Sequence, residues 1–138
     1  MYREDLPAAP LLITTFNKQV IALSTTDGSI AWKIAMPAAR VVVDGAVVYI
    51  AGNDGQVCAV AYESGNYHWR VQTDMSSLRV TLMVTRDVLF VSFSGETACL
   101  TKGGKILWKN TLPGTGYGAA GLAIPGIAVH GDFGDNTG

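Results

Sequence analysis

Oxygen-bearing side chains gather near the C-terminus of this chain of 138 residues. Asp132, Asp135 and Asn136 follow one another closely there, and carboxylate and amide oxygens are the ligands that Ca²⁺ prefers. Their spacing does not match the twelve-residue calcium loop, which ends on a bidentate Glu. A polar turn or terminus explains them more simply, and His130 has no metal-ligating partner nearby in the sequence, so it is interpreted as an ordinary strand residue. No metal site is predicted.

The sequence holds no arrangement that is typical of a catalytic centre. It has neither a Ser-His-Asp order nor a paired-carboxylate motif. Residues 114–118 are rich in Gly, but no Lys and no helical segment follow them, so they are interpreted as a flexible turn rather than a phosphate loop. Cys58 and Cys99 lie in apolar runs and not at metal-ligand spacing, which favours buried core thiols over a disulfide. The chain is therefore predicted not to be an enzyme, and no catalytic residue and no cofactor are expected.

The composition is that of one folded domain. Apolar residues make up 49% of the chain and charged residues 15%, which is sufficient for a buried core. The formal net charge of −1 lacks the basic footprint that nucleic acid binding requires. No apolar run is long enough to span a membrane, and residues 1–5 do not begin a secretion signal. We expect a cytoplasmic or virion-associated protein without a nucleic acid partner or a membrane span, and the alternative is a chain from which a secretion signal has been removed.

Short apolar runs, rich in β-branched and aromatic residues and separated by Gly, Asp, Asn and Pro, dominate the chain. They predict β-strands and almost no helix. The connecting turns, such as Asp27-Gly28 and Asp54-Gly55, are too short for crossover helices, so antiparallel sheets are expected. The predicted strands are 11–16, 20–25, 30–35, 41–43, 47–51, 57–62, 67–72, 80–85, 88–93, 97–101, 106–110, 122–124 and 127–130.

A pattern centred on tryptophan occurs three times. Each Trp has an Ala ten residues before it and a Gly four residues before it, and successive Trp residues are 37 and 39 positions apart. The tryptophans are Trp32, Trp69 and Trp108, and the glycines are Gly28, Gly65 and Gly104. A period near 40 built from short strands is typical of β-propeller blades. Because a large flat indole suits the gap between blades, all three tryptophans are predicted to be buried there.

The strands group into blades of four, with strands A to D named from the innermost outwards. The predicted fold is all-β, with about three four-stranded antiparallel blades per chain. The first blade has only strands B to D, and the last segment has only A and B. The predicted parts are an N-terminal arm (1–9), a repeat region (10–130) with blade 1 (10–36), blade 2 (40–73), blade 3 (79–112) and the start of blade 4 (119–130), and a polar tail (131–138).

Arg40 and Arg79 each stand just before a predicted A strand. Strand A lines the central channel of a propeller, so the two cations are predicted to lie at one channel mouth. There they would attract an anionic ligand or an acidic loop of a partner. A plainer alternative is that each one solvates its loop or pairs with a local carboxylate.

The unit Ala-Leu-x-x-x-x-Gly-x-x-x-Trp resembles the PQQ-like, quinoprotein-type β-propeller repeat. Residues 20–32 are the best copy, 57–69 a good second, and 97–108 a third with Cys99 in the place of Leu. The family includes quinone-dependent dehydrogenases, an outer-membrane assembly scaffold and many noncatalytic modules. The dehydrogenases typically have adjacent cysteines beside the quinone, which this chain lacks. The resemblance therefore implies a noncatalytic member of the family.

Three blades do not close a ring alone, and open blade faces would expose apolar surface to water. We expect head-to-tail self-association into a dimer or trimer, in which the C-terminal A strand of one copy completes the B-C-D blade of the next. A piece of a longer propeller is the other possibility. The predicted function is a noncatalytic scaffold for protein–protein interaction, a structural subunit of a larger assembly such as a phage particle or other virion. The alternatives are a carbohydrate-binding propeller and a fragment of a quinone-dependent dehydrogenase-like propeller.

Overall fold

All regular structure in the described part of the chain is β-strand. A computed structural model describes residues 10–77, 79–114, 118 and 120–130. The strands in these ranges are β1 (Leu11–Phe16), β2 (Gln19–Ser24), β3 (Ile30–Ala35), β4 (Ala38–Asp44), β5 (Val47–Gly52), β6 (Gln56–Ala61), β7 (Tyr67–Gln72), β8 (Val80–Val84), β9 (Val88–Phe93), β10 (Glu96–Thr101), β11 (Ile106–Asn110), β12 (Leu122–Ile124) and β13 (Ile127–Val129).

The strands form sheets in chain order. Blade 1 is the three-stranded sheet β1–β3, blades 2 and 3 are the four-stranded sheets β4–β7 and β8–β11, and β12–β13 form a two-stranded hairpin. Every pairing is antiparallel and joins strands that are adjacent in sequence. Short turns leave no other neighbour within reach. The predicted all-β class with antiparallel propeller blades is confirmed.

The strand that departs most from its predicted bounds is β4. Its β-branched run predicts a strand over 41–43, but the strand spans Ala38–Asp44. The pairing with β5 continues through a bulge until Ala38 lies opposite Gly52. Backbone hydrogen bonds to β5 thus extend the strand beyond the side chains that favour it.

The hairpins that carry the tryptophans share one register, with a correction in the third. Ala22 lies opposite Trp32 and Ala59 opposite Trp69, and a bulge follows each pair. In the third hairpin Cys99 lies opposite Trp108. The β10–β11 turn is one residue shorter than the turns of the other two hairpins. Aligning the three copies on the Ala ten residues before each Trp therefore places β10 one residue out of register. Cys99 takes the place of Ala and not that of Leu.

The hydrophobic core lies between blades. One buried cluster joins blade 1 to blade 2, and a second joins blade 2 to blade 3. Strand β6 contributes to both, because Cys58 and Val60 belong to the first cluster while Val57 and Ala59 belong to the second. This two-sided burial is what the unbroken apolar run of β6 predicts. Stacking of whole sheets, rather than one continuous interior, therefore holds the blades together.

Candidate functional site

The first tryptophan docks on a turn of the next blade. The indole of Trp32, on β3, packs over Gly65 in the β6–β7 turn, where a Cβ atom would lie 2.6 Å from the ring atoms Cδ2 and Cε3. Its Nε1–H donates a hydrogen bond of 2.8 Å to the carbonyl oxygen of Tyr62. We call this arrangement, an indole over a turn glycine with its N–H on a turn carbonyl, the indole–turn contact. Only glycine leaves room for the ring at position 65. Because Trp32 belongs to blade 1 and the turn to blade 2, the contact links the two blades.

The second tryptophan repeats the contact between blades 2 and 3. The indole of Trp69 packs over Gly104, where a Cβ atom would lie 2.6 Å from ring atom Cδ2. Its Nε1–H donates a hydrogen bond of 2.8 Å to the carbonyl oxygen of Lys102. The ring of Tyr49 lies beside it, with 6.4 Å between the ring centroids. Both rings lie in the gap between blades, but only Trp32 is buried as predicted, whereas Trp69 is half-buried.

The third tryptophan departs from the prediction of burial. Trp108 is 47% exposed, and no turn glycine receives its indole within the described ranges. Its ring lies next to Phe90, with 6.2 Å between centroids. A cavity of about 170 Å³ separates this face of blade 3 from the β12–β13 hairpin, with Leu122 and Ile124 on the hairpin side. In the pattern of Trp32 and Trp69, the turn that receives Trp108 would lie between strands C and D of the next blade. The β12–β13 hairpin supplies only the first strands of that blade.

A cleft of about 500 Å³ opens where β4 and β8 end, and we call it the β4/β8 cleft. Its walls are Val42, Val43, Asp44, Val84, Thr85, Arg86, Lys102 and Ile127. The Lys102 ammonium lies 2.8 Å from the Asp44 carboxylate and 5.7 Å from the centroid of the Tyr49 ring. Because the Lys102 carbonyl also receives Trp69, this residue couples the wall of the cleft to the blade interface.

The sequence patterns did not single out this cleft. Asp44 and Arg86 stand where the apolar runs of successive A strands end, one residue apart in repeat position, and these charged residues were the available signal. Lys102, in the β10–β11 turn, is far away in sequence and joins them only when blades 2 and 3 stack. Burial raises the pKa of Tyr49, while the positive charge of Lys102 opposes that rise. The phenol therefore stays neutral at physiological pH and acts as a platform for the ammonium group.

The two arginines predicted at a channel mouth lie at the other ends of these strands. Arg40 lies within β4, opposite Ala51, rather than before the strand as expected, and its side chain is half-buried. Arg79 directly precedes β8 and is exposed. Since β4 and β8 pack against each other, both arginines lie near the starts of neighbouring strands. Their attraction for an anionic ligand or partner stays a prediction.

The two cysteines occupy buried positions, as predicted, and both are free thiols. Burial raises the pKa of Cys58 to about 12, and its Sγ lies 3.4 Å from the sulfur of Met36. Burial also raises the pKa of Cys99. Because the thiolate is the nucleophilic form, Cys58 behaves here as a small apolar side chain.

Within the described ranges, no three side chains among His, Cys, Asp and Glu come together in a way that could hold a metal ion. His130 directly follows β13 and is exposed. Asp132, Asp135 and Asn136 lie outside the described residues, as do residues 115–117 of the Gly-rich turn. The described part of the chain has no helix of the length and hydropathy that a membrane span requires.

Comparison with known families gives one match that covers most of the chain. A family model described as outer membrane protein assembly factor BamB matches residues 7–124. No significant match was found among curated proteins.

Solved structures share the fold at low sequence identity. BamB from Moraxella catarrhalis superposes with a TM-score of 0.65 and 17% identity, covering 91% of this chain and 45% of that one. Quinohemoprotein alcohol dehydrogenase ADHIIG from Pseudomonas putida HK5 gives 0.59 and 20%, covering 74% of this chain and 19% of that one. A europium-containing methanol dehydrogenase gives 0.56 and 16%, covering 72% and 22%. The likeness establishes the propeller fold, and this chain spans less than half the length of each of these structures.

Proposed function

The chain belongs to the family of the outer membrane protein assembly factor BamB, whose model covers residues 7–124, and from that membership we propose that it is a noncatalytic scaffold for protein–protein interaction. The family description names an assembly factor, and we carry the general class, contact with other proteins, to this chain. The proposal does not depend on the particular assembly that the description names. It requires a surface that a protein segment can occupy.

The observation that carries the proposal is the β4/β8 cleft. It combines exposed apolar side chains, Val43 and Ile127, with the charged groups of Arg86, Asp44 and Lys102. Asp44 and Lys102 pair with each other, whereas no ion pair of Arg86 is found among the described residues. Protein interfaces combine an apolar centre with a charged rim, and arginine is enriched in them. The cleft therefore suits an extended loop that places an apolar side chain beside Val43 and a carboxylate beside Arg86.

Site-specific photo-cross-linking tests this proposal. A photoreactive side chain at Thr85, in the wall of the cleft, is expected to form discrete adducts with one or a few proteins in the native cells. The same group at Lys33, exposed on β3, is the control. Charge reversal by Arg86→Glu should remove the Thr85 adducts, and Arg86→Lys should retain most of them. Equal adducts at both positions, or adducts that persist in Arg86→Glu, would contradict a binding role of the cleft.

We extend the proposal to a structural subunit of a larger assembly, for example a phage particle or other virion, with a cytoplasmic or virion-associated location. Its support is the exposed apolar surface of blade 1, where Leu12 and Phe16 are both exposed and which other copies of the chain in the assembly can cover. Such surface favours association over an isolated existence in water. Co-fractionation of the chain with assembled particles tests this extension, and recovery only as free protein would contradict it.

We also propose that the chain does not catalyse quinone-dependent oxidation, although two of the similar structures are dehydrogenases. Its residues do not fit the quinone and calcium of such enzymes. The two cysteines, Cys58 and Cys99, are not adjacent in sequence, and the described ranges hold no cluster of metal-binding side chains. Titration with pyrroloquinoline quinone and Ca²⁺ should leave the quinone absorbance unchanged, and a saturable change would overturn this part of the proposal.

Sugar binding is the second candidate function, and the half-exposed ring of Trp108 is the one observation that favours it. An exposed indole can stack on a sugar ring. In that case oligosaccharides would shift or quench the fluorescence of the protein, and Trp108→Phe would weaken the effect. We place this candidate second because Trp108 occupies the same repeat position as two tryptophans that serve blade stacking.

A further inference from the structure

The two ends of the described blades expose complementary halves of the indole–turn contact. Trp32 and Trp69 each find a turn in the following blade. Trp108 lies at the equivalent position of β11 and is 47% exposed. Cys99 lies opposite it as Ala22 and Ala59 lie opposite the other two. Blade 3 therefore presents the indole half of the contact without its receiver.

The Gly28 turn of blade 1 has the geometry of a turn that receives an indole. The N–H of Gly28 donates to the carbonyl of Ser24 at 2.8 Å, and the N–H of Gly65 donates to the carbonyl of Ala61 at 2.8 Å. Both glycines have positive φ, 78° and 74°. No atom of the described residues lies within 4 Å of the site where a Cβ atom on Gly28 would be, whereas on Gly65 that site is filled by an indole.

The carbonyl that would accept the indole N–H is also identified by register. Tyr62, whose carbonyl binds Trp32, stands three residues after Ala59, and Lys102, whose carbonyl binds Trp69, stands three residues after Cys99. The residue three positions after Ala22 is Thr25. The carbonyl of Thr25 and the open space over Gly28 thus form the receiving half.

The sheet face beside this turn is also a stacking face without a partner. Ile21 and Leu23 of β2 correspond to Cys58 and Val60 of β6, which blade 1 buries completely. Ile21 and Leu23 are half-buried, and Leu12, opposite Leu23, is 55% exposed. Blade 1 therefore has one buried face and one open apolar face.

The unpaired strand edges at the two ends of the described blades are also complementary. Strand β1 pairs with β2 alone, and β12 pairs with β13 alone, among the described residues. In blades 2 and 3 the strand equivalent to β1 has an inner neighbour, which is β4 or β8. The free edge of β12 can supply that neighbour to β1 of another copy, with β13 remaining on the far edge of β12. The joint would then combine strand pairing with an indole–turn contact.

We propose that blade 3 of one copy stacks on the open face of blade 1 of a second copy, with Trp108 over Gly28 and its Nε1–H on the Thr25 carbonyl. The occupant is a second copy because both halves are present in one chain and the joint repeats the two existing blade interfaces. The chain aligns with 45% of the length of BamB from Moraxella catarrhalis, so two copies correspond to most of the length of that propeller chain. Two such joints close a head-to-tail dimer.

The first experiment measures the mass of the full chain in solution by native mass spectrometry or light scattering. A discrete species of twice the 14.6 kDa chain mass is expected. Trp108→Ala and Gly28→Ala should each raise the dissociation constant of the dimer by about tenfold or more, because an interface centre depends on its buried aromatic anchor. Circular dichroism confirms that each variant remains folded.

Two matched controls separate docking from general damage. Leu107→Ala removes an exposed side chain of β11 next to Trp108. Gly45→Ala introduces a similar backbone strain to Gly28→Ala, because Gly45 has φ 62° and no atom of the described residues lies within 4 Å of its Cβ site. Both controls should leave the mass unchanged. A loss of the dimer in the controls as well would overturn the proposed contact.

Mixing the two variants makes the test specific for a head-to-tail joint. A pair of Trp108→Ala and Gly28→Ala chains has one joint with both halves intact, whereas each variant alone has none. The mixture should therefore form heterodimers more tightly than either variant forms homodimers, by about tenfold. A monomeric wild-type chain, or a dimer that survives both substitutions, overturns the proposal. A monomer would indicate that further blades of a longer chain, or another protein, occupy these faces.

This inference does not depend on the β4/β8 cleft. Arg86→Glu, which tests the proposed scaffold function, should leave the dimer intact, and Trp108→Ala should leave Thr85 cross-links in place if single chains bind the partner. Failure of one proposal is therefore distinguishable from failure of the other.

Discussion

Trp32 and Trp108 occupy the same place in the repeat but have opposite environments. Trp32 is 8% exposed, with its ring over Gly65 and its N–H on a carbonyl of the next blade. Trp108 has the same kind of strand and the same kind of facing residue, yet nearly half of it is exposed. The difference lies in the neighbour and not in the motif. An indole at this position stabilises the protein only when the turn of a second blade receives it.

The largest expected effect that separates the two positions is on stability. In single chains, Trp32→Ala should lower the free energy of unfolding by about 3–5 kcal/mol, because it leaves a cavity between blades. Trp108→Ala should cost about 1 kcal/mol or less there, because the ring is half in water. Urea unfolding, at a concentration where light scattering finds monomers, measures both. Equal losses would show that the two positions do not differ in the way described.

The turn glycines should show a smaller difference of the same kind. Gly65→Ala requires positive φ and places a methyl group 2.6 Å from the Trp32 ring, so a loss of about 2–5 kcal/mol is expected. Gly45→Ala requires positive φ in open space and should cost only about 1–2 kcal/mol. The difference between the two unfolding free energies isolates the collision with the indole. If the costs are equal, the space over Gly65 is not a binding determinant.

Tyr62 provides a second link across the interface between blades 1 and 2. Its hydroxyl accepts from the N–H of Leu11 at 2.6 Å and donates to the Leu11 carbonyl at 2.9 Å, which ties blade 2 to blade 1. Tyr62→Phe leaves both half-buried backbone groups without this partner and should cost about 1–2 kcal/mol. Tyr67→Phe, on an exposed ring, is the control and should change the unfolding free energy little. A neutral Tyr62→Phe would show that indole docking alone joins these blades.

The smallest effect is on thiol reactivity. Cys58 lies in the closed interface with a pKa of about 12, so its thiolate fraction at pH 8 is on the order of one part in ten thousand. Cys99 lies opposite Trp108, on the face of blade 3 that no complete blade covers among the described residues, and it is 4% exposed. Iodoacetamide should therefore modify Cys99 before Cys58, and both rates should rise with pH as thiolate forms. Peptide mass spectrometry gives the order, and faster modification of Cys58 would contradict its placement.

The strands and their grouping into blades could be predicted because strand propensity and turn formation depend on residues that are neighbours in the sequence. Alternating and β-branched runs with Gly-containing turns between them fixed antiparallel neighbours, and the recurrence of Trp fixed the repeat. The bounds of β4 were missed because pairing with β5 extends the strand to Ala38. The β4/β8 cleft was missed because Lys102 reaches Asp44 across 58 positions of sequence, and only the stacking of blades 2 and 3 brings them together.

The amino-acid sequence specifies an all-β chain of propeller repeats, with Trp and Gly at fixed places in each, because backbone pairing and turn chemistry depend on residues close together in the chain. Which indole is buried, and which turn glycine is filled and which is open, followed only from the packing of one blade on the next. Those outcomes depend on contacts between residues about 30 to 40 positions apart, such as Trp32 with Gly65 and Trp69 with Gly104. A repeat specifies both halves of each contact equally, and the packing of one blade on the next determines which halves meet.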